Sequence, residues 1–183
     1  MTPRKIKKGQ TNFDKAEYAK QDARAKAATV NLLEKFNFCL SVETNPDDGN
    51  DWSFKLPDVI AHTTSGDVLV EAQVNAQWTA EKTKASGRPY WSSFRCWHRK
   101  MNQACFVKKG ERGYWLTARN DLKFGIMCPM DAAVVDRSVE YNWRYGKTSN
   151  VDPWELAFHL DLSKCKFVNF VDGTIEPYQP EAL

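Results

Sequence analysis

The chain has 183 residues, of which 42% are apolar, 13% aromatic and 27% charged, a composition that excludes wholesale disorder and suits one well-buried domain. Its net charge is +3, and no apolar run approaches the roughly 18 residues that cross a bilayer, so a soluble, intracellular protein with no membrane partner is expected. The basic N-terminus lacks the apolar core of a signal peptide, and five scattered cysteines, an odd number, do not suggest a disulfide framework.

Charge is segregated along the chain. Residues 1–26 carry eight Lys/Arg against three acids and residues 81–124 eleven against three, so these segments hold +5 and +8 and the remainder −10. Such a division suits a basic surface that follows a phosphate backbone, with acids gathered elsewhere.

In chain order, residues 1–12 read as a basic flexible arm with Arg4, Lys5, Lys7 and Lys8, and residues 13–183 as a single domain. An Ala/Lys/Glu-rich helix is expected from 14 to about 36. At about 100° per residue it carries Ala16, Ala19, Ala23, Ala27 and Val30 on one side, with Glu34 on that same side. Residues 38–43 (FCLSVE) form a strand candidate, NPDDGND a loop, and strands near 54–62 and 67–75 a hairpin. A basic loop with Lys82, Lys84 and Arg88 leads to an expected helix over about 91–108. Phe94, Trp97, Met101, Ala104 and Cys105 form its apolar stripe, and Arg95, Arg99 and Gln103 its opposite side. Strands are expected at 113–118 and 124–128, a short helix at 130–137, and further strands at 155–162 and 166–171 before a Pro-rich end.

The hairpin sequence PDVIAHTTSGDVLVEAQV places polar residues where apolar ones would stabilise more. Alternation groups Asp58 with Ile60 and His62 on one strand, and Glu71 and Gln73 with Leu69 on the next. A four-residue loop at 63–66 sets His62 opposite Asp67 and Asp58 opposite Glu71; a two-residue loop sets Asp58 opposite Gln73. Facing carboxylates at about 5 Å repel unless a cation lies between them. On that reading, removing either acid relieves repulsion and leaves the fold intact. Carboxylate oxygens suit Mg²⁺ or Mn²⁺. A solvated sheet face is the plain alternative, but Leu56, Ile60 and Leu69 on the same face argue for partial burial.

Pro57-Asp58, twelve intervening residues and Glu71-Ala72-Gln73 resemble the PD-(D/E)xK phosphodiesterase superfamily of nucleases. The resemblance covers residues 14–118, a little over half of the chain, and implies an α/β fold with an αβββαβ restriction-endonuclease-like core. Residues 119–183 then add C-terminal strands and the short helix. It further implies that Asp58 and Glu71 hold Mg²⁺ or Mn²⁺ and that Glu34 is the assisting acid of the first helix. Gln73 stands where the family has Lys, which makes Arg99, Lys100 and Gln103 on the following helix candidates for the displaced role. The implied activity is metal-dependent hydrolysis of DNA by a junction-resolving, restriction or homing type of endonuclease, a homodimer where a symmetric substrate is cut on both strands.

Lys82, Lys84, Arg88, Arg95, Arg99, Gln103 and the basic arm are the expected nucleic-acid contacts, with Trp78, Tyr90 and Trp91 candidates for stacking on unpaired bases and Trp97 more at home in the core. A non-catalytic nucleic-acid-binding protein on the same fold, with Gln73 marking lost activity, is the alternative, and an interaction protein with an ordinary acidic surface a third. Zinc is disfavoured because Cys96 and His98 would point about 200° apart on a helix, and no nucleophile motif, P-loop or dinucleotide fingerprint occurs.

Overall fold

The computed structural model describes residues 15–45, 57–83, 85–89, 93–97, 112–129, 135–143 and 154–179, with the backbone path alone at 15–18, 93–97, 135–143 and 154–161. Helix α1, Lys15–Leu33, is built from alanines and long unbranched side chains and contains neither Gly nor Pro, the composition that loses least on entering a helix. Its buried face carries Ala25, Lys26, Thr29, Leu32 and Leu33. Ala19, Ala23, Ala27 and Glu34 are exposed, so the expected face is corrected by a part-turn rotation. The reason is size: alanine methyls cover too little area to choose a side, whereas Leu32 and Leu33 do.

Strands β1 (Cys39–Thr44), β2 (Val59–Thr63) and β3 (Val68–Asn75) form an antiparallel meander. After them come β4 (Ser93–Trp97), β5 (Arg112–Arg119), β6 (Phe124–Pro129), β7 (Val135–Trp143), β8 (Trp154–Asp161), β9 (Lys166–Asn169) and β10 (Thr174–Pro177). Seven of the strands make one mixed sheet in the order β1-β2-β3-β5-β6-β9-β10, in which the β3–β5 pair is parallel and the other pairs are antiparallel. A parallel neighbour cannot be reached by a tight turn, so residues 76–111 are the crossover connection. The other three strands form a separate antiparallel sheet in the order β4-β8-β7.

Alternation along the strands divides the core between the two faces of the large sheet. Val59, Ala61, Val68, Val70, Leu116 and Val168 pack with Leu32 and Leu33 of α1. Leu69, Trp115, Ile126, Cys128 and Phe167 form a second cluster with Trp78 and Tyr178. Among the described residues no helix is long and apolar enough to cross a membrane.

Two expected helices are corrected. Ser93–Trp97 is a strand, because the alternation of Phe94 and Cys96 with Arg95 and Trp97 satisfies a period of two and each residue pairs with β8. Residues 135–137 open β7, which pairs with β8 through a register shift between Asp136 and Val139. Strand β10, unforeseen, follows a turn at Gly173, whose φ of +71° is the left-handed backbone that glycine adopts without cost.

Candidate functional site at the β2–β3 hairpin

The hairpin adopts the four-residue loop. Val59 pairs with Val70, Ile60 with Leu69 and Ala61 with Val68, and the same register carried one step outward sets Asp58 against Glu71 and His62 against Asp67. The loop closes with Gly66 at φ +103°, its N–H on the Thr63 carbonyl at 3.1 Å, while the Thr63 hydroxyl donates to the Gly66 carbonyl. At its base His62 Nδ1 lies 2.9 Å from Asp67 Oδ1, and His62 Nε2 lies 3.3 Å from Glu43 on β1. The hydrogen bond to Asp67, reinforced by both carboxylate charges, raises the His62 pKa above its usual 6.5 against a smaller opposing effect of burial.

Asp58 stands one residue before β2 begins, where the strand pleat does not yet dictate its direction. It is 9% exposed, and its Oδ2 accepts the Ala72 N–H at 2.9 Å. Its Oδ1 faces Lys26 Nζ of α1 at 3.4 Å, and the same ammonium lies 2.9 Å from Asp22 Oδ2, one helical turn earlier. Burial alone would lower the Lys26 pKa. The hydrogen bond that Lys26 donates to Asp22 and the charge of Asp58 outweigh it and hold the ammonium above its usual 10.5. Lys26 of α1 is thus a counter-charge to Asp58.

Glu71, 3% exposed, shares its side of β3 with Leu69 and Gln73 and is in register with Trp115 of β5. Gln73 is in register with Thr117 and donates Nε2–H to its Oγ1 at 2.8 Å; the Trp115 indole N–H donates to that same oxygen, also at 2.8 Å. The residue at the motif's lysine position is therefore tied into the β3–β5 pair.

The other expected residues fall in several places. Glu34 is exposed at the end of α1, about 12 Å along the axis from Lys26, and its charge acts on Cys39, adding to the effect of burial in raising that thiol's pKa. Lys82 is exposed on the short turn Ala80–Lys82. Arg88, expected to reach phosphate, turns inward: it donates to Glu176 at 2.8 Å and to the Gln179 carbonyl, and it lies over the Phe167 ring at 4.9 Å. Trp78 is 0% exposed and belongs to the core, which removes it as a stacking platform. Arg95 lies on β4, where the backbone alone is described, and Arg4, Lys5, Lys7, Lys8, Lys84, Tyr90, Trp91, Arg99, Lys100 and Gln103 lie outside the described residues.

Lys26 and Asp22 were missed from the sequence, although a signal was present: they are four residues apart and share the helical spacing of Ala25, Thr29, Leu32 and Leu33. As hard oxygen donors, Asp58 and Glu71 fit a Mg²⁺ or Mn²⁺ ion in kind. Among the described residues no group of three His, Cys, Asp or Glu side chains is gathered as a metal site. No protein-family model, curated protein or solved structure matches the chain.

Proposed function

We propose that the chain is a metal-dependent endodeoxyribonuclease built on a restriction-endonuclease-like core. One observation carries the reading: Pro57-Asp58 leads into β2 and Glu71-Ala72-Gln73 lies in β3, with Asp58 and Glu71 opposed in register at one end of the pair. The order of the sheet supports it, since a helix, an antiparallel meander and a crossover to the parallel β5 form the sequence of steps that an αβββαβ core needs. The second helix of that core, expected over 91–108, is a strand at Ser93–Trp97, so the support comes from α1 and the sheet.

In this reading Asp58 and Glu71 hold the ion, and the Ala72 N–H fixes the rotation of the Asp58 carboxylate. A bound Mg²⁺ or Mn²⁺ would draw charge from the phosphate and make water a better nucleophile. Hydrolysis joins a water oxygen to phosphorus as the bond from phosphorus to one sugar oxygen breaks, and the water's two protons are shared between the sugar hydroxyl and the phosphomonoester that result. Lys82 and the basic segments would follow the DNA backbone, giving salt-sensitive affinity without base readout.

A second reading, a non-catalytic nucleic-acid-binding protein, is favoured by the Gln73–Thr117 hydrogen bond, which engages position 73 in structure. Supercoiled and branched DNA incubated with Mg²⁺, Mn²⁺ or EDTA, for wild type and Glu71→Gln, separates the two. Cutting that needs both metal and Glu71 upholds the nuclease. Salt-sensitive binding without cutting on any substrate upholds the binding protein.

A further inference from the structure

We propose that the sheet end at the 63–66 turn binds unpaired nucleic acid, with a base stacked on Phe38 and a backbone phosphate held by Arg112; the inference deepens the nucleic-acid reading above and rests on it. Phe38 precedes β1, and its carbonyl accepts the Thr64 N–H of the turn at 3.2 Å. Arg112 opens β5. Its backbone N–H donates to the Asp67 carbonyl at 3.4 Å, and its Nη2 donates to the hydroxyls of Ser65 at 3.0 Å and Thr63 at 3.3 Å. The turn thus joins the two residues. Both belong to the α1 side of the sheet: Arg112 alternates with Tyr114 and Leu116, which pack in the α1-facing cluster, and the Phe36 ring that carries Phe38 packs against the same cluster.

Each residue is open where a nucleotide would meet it. Phe38 is 48% exposed and stacks with Phe36 at 5.2 Å between ring centres and 19° between ring planes, so one face is fixed and a base would extend the stack on the other. A lone exposed aromatic is ordinary on a protein surface; here it stands beside an arginine without a counter-charge. Arg88 and Arg119 each meet a carboxylate, Glu176 and Asp121. Arg112, exposed, meets two hydroxyl oxygens and, among the described residues, no carboxylate. Hydroxyls hold the guanidinium in place without neutralising it, and they engage Nη2, which leaves the Nε and Nη1 hydrogens for phosphate oxygens. The path from Phe38 to Arg112 crosses β2 and β3 at about 4.8 Å per strand, roughly 14 Å in all. About four stacked nucleotides at roughly 3.4 Å each cover it, and single-strand sites begin at about that size. Duplex bases are stacked on one another and present no face to Phe38, which sets unpaired strands apart.

The test uses the full chain as wild type, Phe38→Ala, Phe38→Leu, Phe38→Trp and Arg112→Gln. Fluorescence anisotropy measures binding to labelled oligo(dT) and to a blunt duplex of equal length across a salt series; thermal melting follows folding, and light scattering the mass. Phe38→Leu keeps an apolar contact on Phe36 without a ring, and so serves if Phe38→Ala melts without cooperativity. Loss of the ring is expected to weaken oligo(dT) binding by about 5- to 150-fold, the range of one base stacked on an aromatic side chain, while the duplex is bound as before. Phe38→Trp is expected to bind oligo(dT) at least as tightly as wild type. Arg112→Gln is expected to weaken oligo(dT) binding and to lower the slope of log affinity against log salt by about 0.7, one phosphate's share on a single strand, a slope that Phe38→Leu leaves unchanged. A loss below about fivefold in folded Phe38→Leu overturns the proposal, as does an equal loss on the duplex or a salt slope that Arg112→Gln does not alter. A wild-type dimer that Phe38→Leu breaks into monomers, with oligo(dT) binding retained, assigns Phe38 and the exposed Leu40 to a contact between copies and overturns it too. A wild type with no salt-sensitive binding to either DNA overturns the nucleic-acid reading itself, and this surface with it.

Discussion

The side-chain amide of Gln73 and the hydroxyl of Thr117 stand 2.8 Å apart across the parallel pair β3–β5, and the buried Trp115 indole shares the same acceptor. Thr117 is 1% exposed, so water cannot take its place. Thr117→Val keeps the shape and strands two donors, and is expected to cost about 2–4 kcal/mol in urea unfolding, with Thr117→Ser recovering most of it. A loss below about 0.5 kcal/mol in Thr117→Val would mean that both donors find other partners.

Asp58 gives an expectation opposite to that of simple carboxylate repulsion. Asp58→Ala removes the acceptor of the Ala72 N–H and one of the two counter-charges of a buried lysine, and is expected to cost about 3–5 kcal/mol. Asp58→Asn keeps an oxygen for Ala72 and is expected to lose less. In a double-mutant cycle on chemical denaturation, Lys26→Met combined with Asp58→Ala is expected to cost less than the sum of the two single changes; strict additivity would mean the pair does not interact.

His62 makes stability depend on pH in a defined direction. Its folded pKa is raised by Asp67 and Glu43, so its contribution is fully present below the unfolded value of about 6.5 and is lost as pH rises through the folded value. The melting temperature of wild type is expected to exceed that of His62→Asn at about pH 6, and the gap to close by about pH 9. A gap that widens with pH contradicts this assignment.

Arg88 fastens the last described strand. Its guanidinium holds Glu176 and the Gln179 carbonyl and covers the rings of Phe167 and Tyr178, at 4.9 and 5.7 Å. Arg88→Ala is expected to destabilise by about 1–3 kcal/mol through lost charged hydrogen bonds and ring contact. Faster amide hydrogen exchange is expected at β9 and β10, with β2 and β3 unchanged; a slowing confined to DNA binding would instead mark Arg88 as a phosphate contact.

The hairpin was the most legible part of the sequence, because the turn residues from Thr63 to Gly66 and two alternating apolar sets left two registers, one of which set His62 beside Asp67. The extent of α1 was legible from its composition, but its packed face was not, since a run of alanines gives every direction a similar weight. Short apolar stretches were ambiguous for a different reason: in SFRCW a spacing of three between Phe94 and Trp97 fits a helix while the intervening alternation fits a strand, and pairing with β8 decides. The pair Asp172-Gly173 was a hairpin signal that the neighbouring prolines obscured. Lys26 stayed hidden because its role depends on Asp58, 32 residues further on, and no local pattern records that meeting.

The parallel β3–β5 pair also governs the order in which the chain assembles. The β1–β2–β3 meander closes through contacts near in sequence, whereas β5 must return across residues 76–111 to a template already made. Long-range closure is slow, and its entropic cost grows only weakly with length, by about 0.6 kcal/mol for each doubling. Folding is therefore expected to wait on the docking of β5. Within 76–111 the chain is anchored at Trp78 in the core, at Arg88 on Glu176 and at β4 on β8, while a one-residue slip in the β2–β3 register would turn one strand's faces over and separate Asp58 from Glu71.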